Sequence, residues 1–267
     1  VSYDELSLIA KSVNDGLLFR VDMKTPDIGT GYANVIVNPF QDNMPMRGEV
    51  AFDDVQLKVF KPFIKDVRSM AGTLALAGKV NGTLTQPQFT GEMRLKNGAI
   101  SMMSLPVNLT NIQLYSSIRQ DSASIDGAFN SGQGVGRLKG SFDWKEEPHL
   151  ALTLKGDNLL IRQAPMITAI VQPDLSLDVY PFDQRLSLKG SIDVPRARIS
   201  MPETTATVIN VSPDVRVVQQ GQDLLATLKS AKPWDIRADM TLTLGNQVVF
   251  QGFGSNIPLV GRLHLSQ

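Results

Sequence analysis

The sequence has 267 residues, and its 26 Lys and Arg residues balance 26 Asp and Glu residues, giving a formal net charge of zero. This balance argues against a nucleic-acid binder that relies on a basic face. The lack of cysteine excludes disulfides, thiolate metal sites and cysteine nucleophiles. No run approaches the ~18 apolar residues of a transmembrane helix. Because the sequence opens on Val1 and without a signal peptide, we expect a fragment of a longer protein.

Alternating apolar and polar residues run through most of the chain. Residues 1–38 carry three such runs, and in residues 186–194 Leu186 and Leu188 alternate with Ser187 and Lys189. Successive side chains on a strand point to opposite faces, so each run predicts a β-strand with one apolar and one polar face. By this criterion the chain holds about twenty strands.

Two stretches break the alternation and predict short helices. In residues 59–70, apolar side chains recur at spacings of three and four, and Pro62 is acceptable in a first helical turn. Residues 159–171 are apolar on most sides and contain Pro165. A loose internal echo, strands followed by a helix and more strands, relates residues 48–91 to residues 140–190 and indicates a repeating architecture.

Turn signals interrupt the strands. Asn97-Gly98 predicts a hairpin turn, and Gly245-Asn246 predicts a second turn. Pro195 cannot donate a ladder hydrogen bond, so its strand should bend or break there. Further on, we expect short strands at 205–210 and 215–219, then a loop or short helix at 220–232.

The apolar faces of these strands need a cover that two short helices are too small to provide. Burying one Leu or Phe side chain contributes about 1.5–3 kcal/mol. A second sheet, a sheet folded onto itself or a bound apolar ligand must therefore supply the cover. Four glycines, Gly78, Gly82, Gly140 and Gly190, fall on predicted apolar faces. We expect open space at them, which favours a groove or a sharply bent sheet over a packed sandwich.

Three glycine-containing stretches occur in order along the chain. They are residues 78–98, residues 190–199 followed by 211–218, and residues 233–254. The second stretch begins Gly-Ser-Ile-Asp-Val-Pro-Arg-Ala-Arg-Ile, and the third runs from Pro-Trp to Gly-Phe-Gly. Together they resemble the C-terminal region of the TamB family, part of the AsmA-like group of envelope proteins. The resemblance covers most of the chain and is clearest from Gly72 onward.

The resemblance implies a fold and a location. The implied fold is all-β: a long curved sheet folded into a U-shaped trough (a β-taco) with a hydrophobic interior. The two short helices predicted from the apolar spacing would be added to this trough. Residues 1–267 would then form a single continuous segment of that trough. Members of the family are anchored in the inner membrane, cross the periplasm and engage TamA, an outer-membrane barrel protein. We expect that contact to involve residues beyond Gln267.

The resemblance also implies two alternative functions. The first is a hydrophobic conduit that moves phospholipid between the inner and outer membranes. The second is a periplasmic assembly or chaperone module for outer-membrane proteins and autotransporters, which would offer a sheet edge to unfolded strands. A structural spacer with a packed interior is a third alternative. The expected partners are phospholipid acyl chains, a TamA-like barrel protein and neighbouring segments of the same chain.

In the conduit hypothesis, apolar side chains of the one-sided strands replace water around acyl chains, while head groups stay at the open edge. Movement along the trough requires weak, repeated contacts, so no single residue should be essential. The predicted lining residues are Leu74, Leu76, Val80, Leu152, Leu154, Leu186, Leu188, Ile192, Met240 and Leu242.

Signals for catalysis or metal binding are weak. Glu146, Glu147 and His149 are close in sequence but predict a solvated turn, because near neighbours on a bent strand rarely converge on a metal. The glycine-rich residues 132–136 lack a following helix, so they predict a turn rather than a phosphate loop. Asp53, Asp54 and Asp121 have no evident partner for sugar cleavage. We therefore expect no enzyme activity, no cofactor, no metal and no nucleic-acid partner.

Overall fold

The computed structural model describes residues 5–25, 28–64, 66–103, 106–201 and 234–266. These residues form one long, curved, 16-stranded sheet. The prediction of an all-β trough is therefore confirmed. The short strands predicted at 205–210 and 215–219, and the loop or helix at 220–232, lie outside the described residues.

The three strands predicted in the first 38 residues are present. The described strands are β1 Glu5–Val13, β2 Gly16–Thr25, β3 Gly29–Val37, β4 Met46–Gln56, β5 Val67–Gly82, β6 Pro87–Met102, β7 Asn108–Gln120, β8 Ser122–Ser131, β9 Gly134–Asp143, β10 His149–Asp157, β11 Leu159–Gln163, β12 Ile167–Tyr180, β13 Arg185–Ser200, β14 Asp235–Gly252, β15 Ser255–Pro258 and β16 Gly261–Ser266.

Most neighbouring strands follow one another in sequence. Strands β1 to β10 form an antiparallel meander that continues through β12 and β13. Strand β11 extends the line of β10 and pairs with the first part of β12. Strand β14 is parallel to β13, and its other side pairs with β15 and β16.

The register gives the sheet two chemically distinct faces. Leu76 of β5 pairs with Phe52 on one side and Met93 on the other. Leu188 of β13 pairs with Leu177 and Ala238. Directly paired residues lie on the same face of a sheet. The apolar positions of successive strands therefore form one surface from β1 to β16, the apolar face; the opposite surface is the polar face.

A line of β-bulges crosses the strands and bends them. Register shifts occur between Phe52 and Val55 in β4, between Leu95 and Gly98 in β6, and opposite Pro195, where β14 carries an extra residue. Similar shifts occur in β5, β7 and β12. Because a bulge bends its strand and increases its twist, this line, which we call the crease, accounts for curvature along the length of the sheet.

The crease corrects two turn predictions. Asn97-Gly98 lies inside β6 and Gly245-Asn246 lies inside β14, so neither is a turn. Asn97 has a φ of 51°, a conformation that asparagine adopts more readily than most residues. Residues that favour positive φ serve here in bulges. Of the two outcomes predicted for Pro195, a bend or a break, the structure shows the bend: β13 continues through this residue to Ser200.

The prediction of a helix at 59–70 was right only in part, and that of a helix at 159–171 was wrong. The first region contains a short 3₁₀ helix, Leu57–Phe63, with no buried residue, and β5 begins at Val67. Phe63, one of the residues that gave the helical spacing, is 84% exposed. Residues 159–171 form the hairpin of β11 and β12, with Pro165 between the strands. A continuous apolar run suits a strand covered on both faces as well as a helix, so its composition alone does not separate the two.

The expectation of open space at apolar-face glycines was also wrong. A Cβ atom at Gly78 would lie 2.5 Å from the Phe89 ring, and one at Gly140 would lie 2.7 Å from Leu152 Cδ2. Side chains and backbone atoms of the neighbouring strands therefore already occupy that space. Gly82 and Gly190 have φ values of 91° and 133°, a backbone conformation that other residues rarely adopt.

Candidate functional site

The apolar face contains all ten residues predicted to line the trough. In β5, for example, Leu74 and Leu76 pair with Leu95 and Met93 of β6. The remaining members follow the same register on β10, β13 and β14. The ten are Leu74, Leu76, Val80, Leu152, Leu154, Leu186, Leu188, Ile192, Met240 and Leu242, and each is half-buried.

Half-burial distinguishes this face from an ordinary core. A sealed core holds side chains in close contact on every side, whereas these side chains keep part of their surface accessible. Contacts between strands that are not ladder neighbours are few, and those of β11 with β8 and β9 are the most extensive among the described residues. The face is therefore not covered by a second sheet within the described part of the chain.

One region of the apolar face is closed. Val248 of β14 is 1% exposed. Phe129 of β8 and Leu259 pack against the same group. Ser131 Oγ donates a 2.6 Å hydrogen bond to the Leu160 carbonyl, which fixes β11 beside β8. The buried group, which we call the crease cluster, consists of Leu159, Ala169, Val171, Val194, Ala197 and Val248.

Toward both ends of the sheet the apolar face is more open. Leu6 and Leu8 of β1 are 66% and 72% exposed. Leu263 and Leu265 of β16 are also exposed. The apolar surface thus runs from an open end, past the closed crease cluster, to a second open end.

On the polar face, neighbouring charges neutralise one another. Arg20 pairs with Asp22 at 2.6 Å and Arg94 pairs with Glu92 at 2.7 Å, each two residues apart on one strand. The hydrogen bond from Arg94, and then that from Tyr115, holds the pKa of Glu92 below its usual value. These two pairs flank a hollow of about 1000 Å³. A twisted sheet is saddle-shaped, so its polar face also has concave regions.

Both histidines bind carboxylates on neighbouring strands. His149 Nε2 lies 2.9 Å from Asp178 Oδ1, and its ring stacks on Tyr180 with 4.3 Å between centroids. His264 Nε2 lies 3.7 Å from Asp239 Oδ1. Neither histidine–carboxylate pair was predicted from the sequence. Each pair depends on the register between two strands, and no local sequence pattern indicates that register. The Arg–acid pairs, in contrast, could have been found from their i,i+2 spacing.

The residues weighed in the sequence as metal-binding, phosphate-binding or catalytic candidates lie at turns and bulges. Glu146 and Glu147 lie in the loop before β10, and Gly132 lies at the turn between β8 and β9. Asp54 occupies the β4 bulge with a φ of 53°. No three His, Asp or Glu side chains of the described residues are grouped so that they could share a metal ion. The same residues contain no helix long and apolar enough to cross a bilayer.

Comparison with known proteins adds evidence on ancestry. A family model described as the TamB C-terminal domain matches residues 122–267, and one described as the TamB N-terminal domain matches residues 1–95. The translocation and assembly module subunit TamB of Haemophilus influenzae is 22% identical over 273 aligned residues, which cover 98% of this chain and 21% of that relative. The chain thus spans about a fifth of the relative's length. No solved structure gives a significant match.

Proposed function

Since this chain belongs to the TamB family, we propose that it is one continuous segment of a hydrophobic conduit that moves phospholipid across the periplasm between the inner and outer membranes. Family membership supports a role in transport or assembly at the cell envelope. The conduit, the inner-membrane anchor of the whole protein and a TamA-like outer-membrane partner are parts of our proposal.

The observation that carries this proposal is the continuous, half-exposed apolar face. Each CH₂ group transferred from water to an apolar surface contributes about 0.8 kcal/mol. An acyl chain lying along this face would gain that energy from many similar Leu, Ile and Met contacts. Because neighbouring strands offer equivalent contacts, a chain can exchange one set for the next without a large barrier.

The charged head group has to stay in water, because an unpaired charge in an apolar environment is costly. Strand ends are where the apolar and polar faces meet, so they suit the head group. In this arrangement the acyl chains contact residues such as Leu154 and Leu188, while the head group remains in water at the strand ends.

Site-specific photocrosslinking in the cell envelope tests the proposal directly. The crosslinker is placed at Leu188, half-buried on the apolar face, and in a matched variant at Lys189, exposed on the polar face of the same strand. Lipid adducts at Leu188 but not at Lys189 support the conduit. Protein adducts at both positions favour an assembly module, and no adduct at either position indicates a sealed spacer.

Transport measurements provide a second test. Leu76→Asp places a charge on the apolar face, whereas Ala77→Asp places the same charge one residue away, on the polar face. We expect the first variant to block phospholipid transfer and the second to leave it unchanged, with both folded by circular dichroism. Normal transfer by a folded Leu76→Asp variant would contradict the conduit.

An assembly function is the second candidate, and strand β1 favours it. One side of β1 pairs with β2, and within the described residues its other side has no ladder partner. An open strand edge can accept another strand by β-augmentation. A client strand or a neighbouring segment of the same chain could bind there.

Proline substitution separates the two functions. Successive backbone N–H groups of a strand point to opposite edges, so one of Leu8→Pro and Ile9→Pro removes a bond to β2 and the other removes an outward-facing donor. The proline variant whose free energy of unfolding is unchanged is the one that has lost the outward-facing N–H group, because its bonds to β2 are intact. If this variant loses outer-membrane protein assembly but retains lipid transfer, the assembly function is supported; unchanged assembly would rule out an essential role for this edge.

A further inference from the structure

Three arginines cluster on the polar face, beyond the crease. Arg162 lies on β11, and Arg196 and Arg198 lie on β13. Thr168 of β12 pairs with both Arg162 and Arg198, so these two arginines flank it on the same face. Strand spacing puts their Cα atoms about 10 Å apart, and Arg196 lies about 7 Å along β13 from Arg198. Long, flexible side chains at these distances can converge on one anion.

The arginines line a furrow of about 630 Å³ that contains no acidic side chain. This contrasts with Arg20, Arg94 and Arg237, each of which forms an ion pair with a carboxylate on its own strand. None of the three clustered arginines forms an ion pair with another described residue. The lining residues are Arg162, Thr168, Ala169, Ile170, Arg196, Ala197, Arg198, Asn246, Gln247, Val249 and Gln251.

The amide side chains of the furrow add hydrogen-bond donors. Arg196 Nε donates to Gln247 Oε1 at 2.8 Å, and Ser200 Oγ donates to Gln251 Oε1 at 3.5 Å. Because these carbonyl oxygens are occupied, the NH₂ groups of both glutamines remain for a ligand. The furrow therefore combines three positive charges with several neutral donors.

We propose that this arginine furrow binds a phosphate group, either free or in the head group of a lipid. A guanidinium group offers two parallel N–H donors that match two oxygens of a phosphate, and three such groups can neutralise its charge. The furrow is on the face opposite the apolar face, so this inference does not rest on the conduit proposal.

Calorimetric titration of the intact chain with inorganic phosphate tests the furrow. The variant replaces all three arginines (Arg162→Gln, Arg196→Gln, Arg198→Gln), and the matched control replaces three paired arginines of the same face (Arg20→Gln, Arg94→Gln, Arg237→Gln). We expect phosphate affinity to fall by about tenfold or more in the first variant and by less than about twofold in the control. Equal losses in both variants, or no measurable binding by the unmodified chain to either phosphate or the vesicles described next, would overturn the proposal.

Vesicle flotation distinguishes the two sources of the phosphate. Binding to phosphatidylglycerol vesicles that is lost in the triple furrow variant, but kept in the control, assigns a lipid head group. Titration with inorganic phosphate but no vesicle binding assigns a free phosphate ion. If the triple variant does not fold, the single Arg198→Gln variant replaces it. Arg198 is exposed and forms no ion pair with another described residue, so we expect this variant to fold. Unchanged binding of phosphate and vesicles by the folded Arg198→Gln variant would count against the furrow.

Discussion

The crease cluster and the open part of the apolar face are built from the same kinds of side chain but differ in what surrounds them. Val248 in the crease cluster is almost completely buried, whereas Leu188, on the neighbouring strand, keeps part of its side chain accessible. Both residues belong to one-sided alternations on long strands. The difference arises where bulges bend the strands and bring β11 against β8.

This comparison separates stability from function. Residues of the crease cluster have apolar neighbours on several sides, so they contribute to folding as core residues do. Residues on the open part contact side chains of the adjacent strands, but no more distant strand packs over them, so part of their apolar surface stays accessible. Substitutions in the two regions should therefore differ in their effect on stability.

The largest expected effect is that of a charge in the crease cluster. Val248→Asp places a carboxylate among apolar side chains with no partner, and we expect it to lower the free energy of unfolding by more than about 4 kcal/mol. Urea denaturation followed by circular dichroism measures this loss. The matched control is Val249→Asp, because Val249 lies on the polar face. Similar losses in both variants would show that the cluster is no more closed than the rest of the sheet.

Truncation to alanine should also lower the free energy of unfolding more in the crease cluster than on the open part of the apolar face, but by less than a charge does. Val248→Ala leaves a cavity, and we expect a loss of about 2–3 kcal/mol. Leu188→Ala removes more atoms, but from a half-exposed site, and should cost about 1 kcal/mol. The same denaturation experiment compares them. A larger loss at Leu188 would contradict the division of the apolar face into closed and open regions.

Glycines of the open part should tolerate a methyl group poorly. Gly78→Ala would bring a Cβ against the Phe89 ring, and we expect a loss of about 1–2 kcal/mol from overpacking. Phe89→Leu in the same chain should restore only the part of that loss that comes from the ring, because the backbone of Thr90 and Gly91 also lies within 3 Å of the Cβ position. Gly261→Ala is the control, since no atom lies within 4 Å of its Cβ position. A stabilising Gly78→Ala variant would show that the ring does not cover the glycine.

The smallest effect is expected on the polar face of the open part. Arg94→Gln removes the main cause of the lowered pKa of Glu92, so that pKa should rise toward its ordinary value. A lowered pKa adds stability above the unfolded-state pKa, and this stability is lost as the pH falls through the folded-state pKa. For so exposed a pair the effect on stability should be slight. NMR titration of the Glu92 carboxyl measures the shift; an unchanged pKa would contradict the assigned cause.

Some features of the fold could be predicted from short stretches of sequence. The alternation around Leu76 and Leu188 placed both residues on the apolar face, because the two-residue period of a strand is a local property. Turn chemistry was less reliable. Asn97-Gly98 is as favourable for a bulge as for a hairpin, and only the pairing of β6 with β5 and β7 selects the bulge.

The candidate site shows the same division. Sequence was sufficient to name the ten apolar residues, but not to show that they remain half-exposed while Val248 is buried. The arginine furrow was missed altogether. Arg162 is 34 positions before Arg196 in the sequence, and their strands, β11 and β13, come close only because both pair with β12.

The sequence by itself therefore determined the all-β class, the one-sided strands and the membership of the apolar face, because each depends on side-chain order along a strand. The tertiary structure decided where the strands bend, which part of the apolar face is closed and which polar residues meet across the ladder. These features depend on register between strands, and register is set by the summed packing and hydrogen bonding of whole strands rather than by any short stretch.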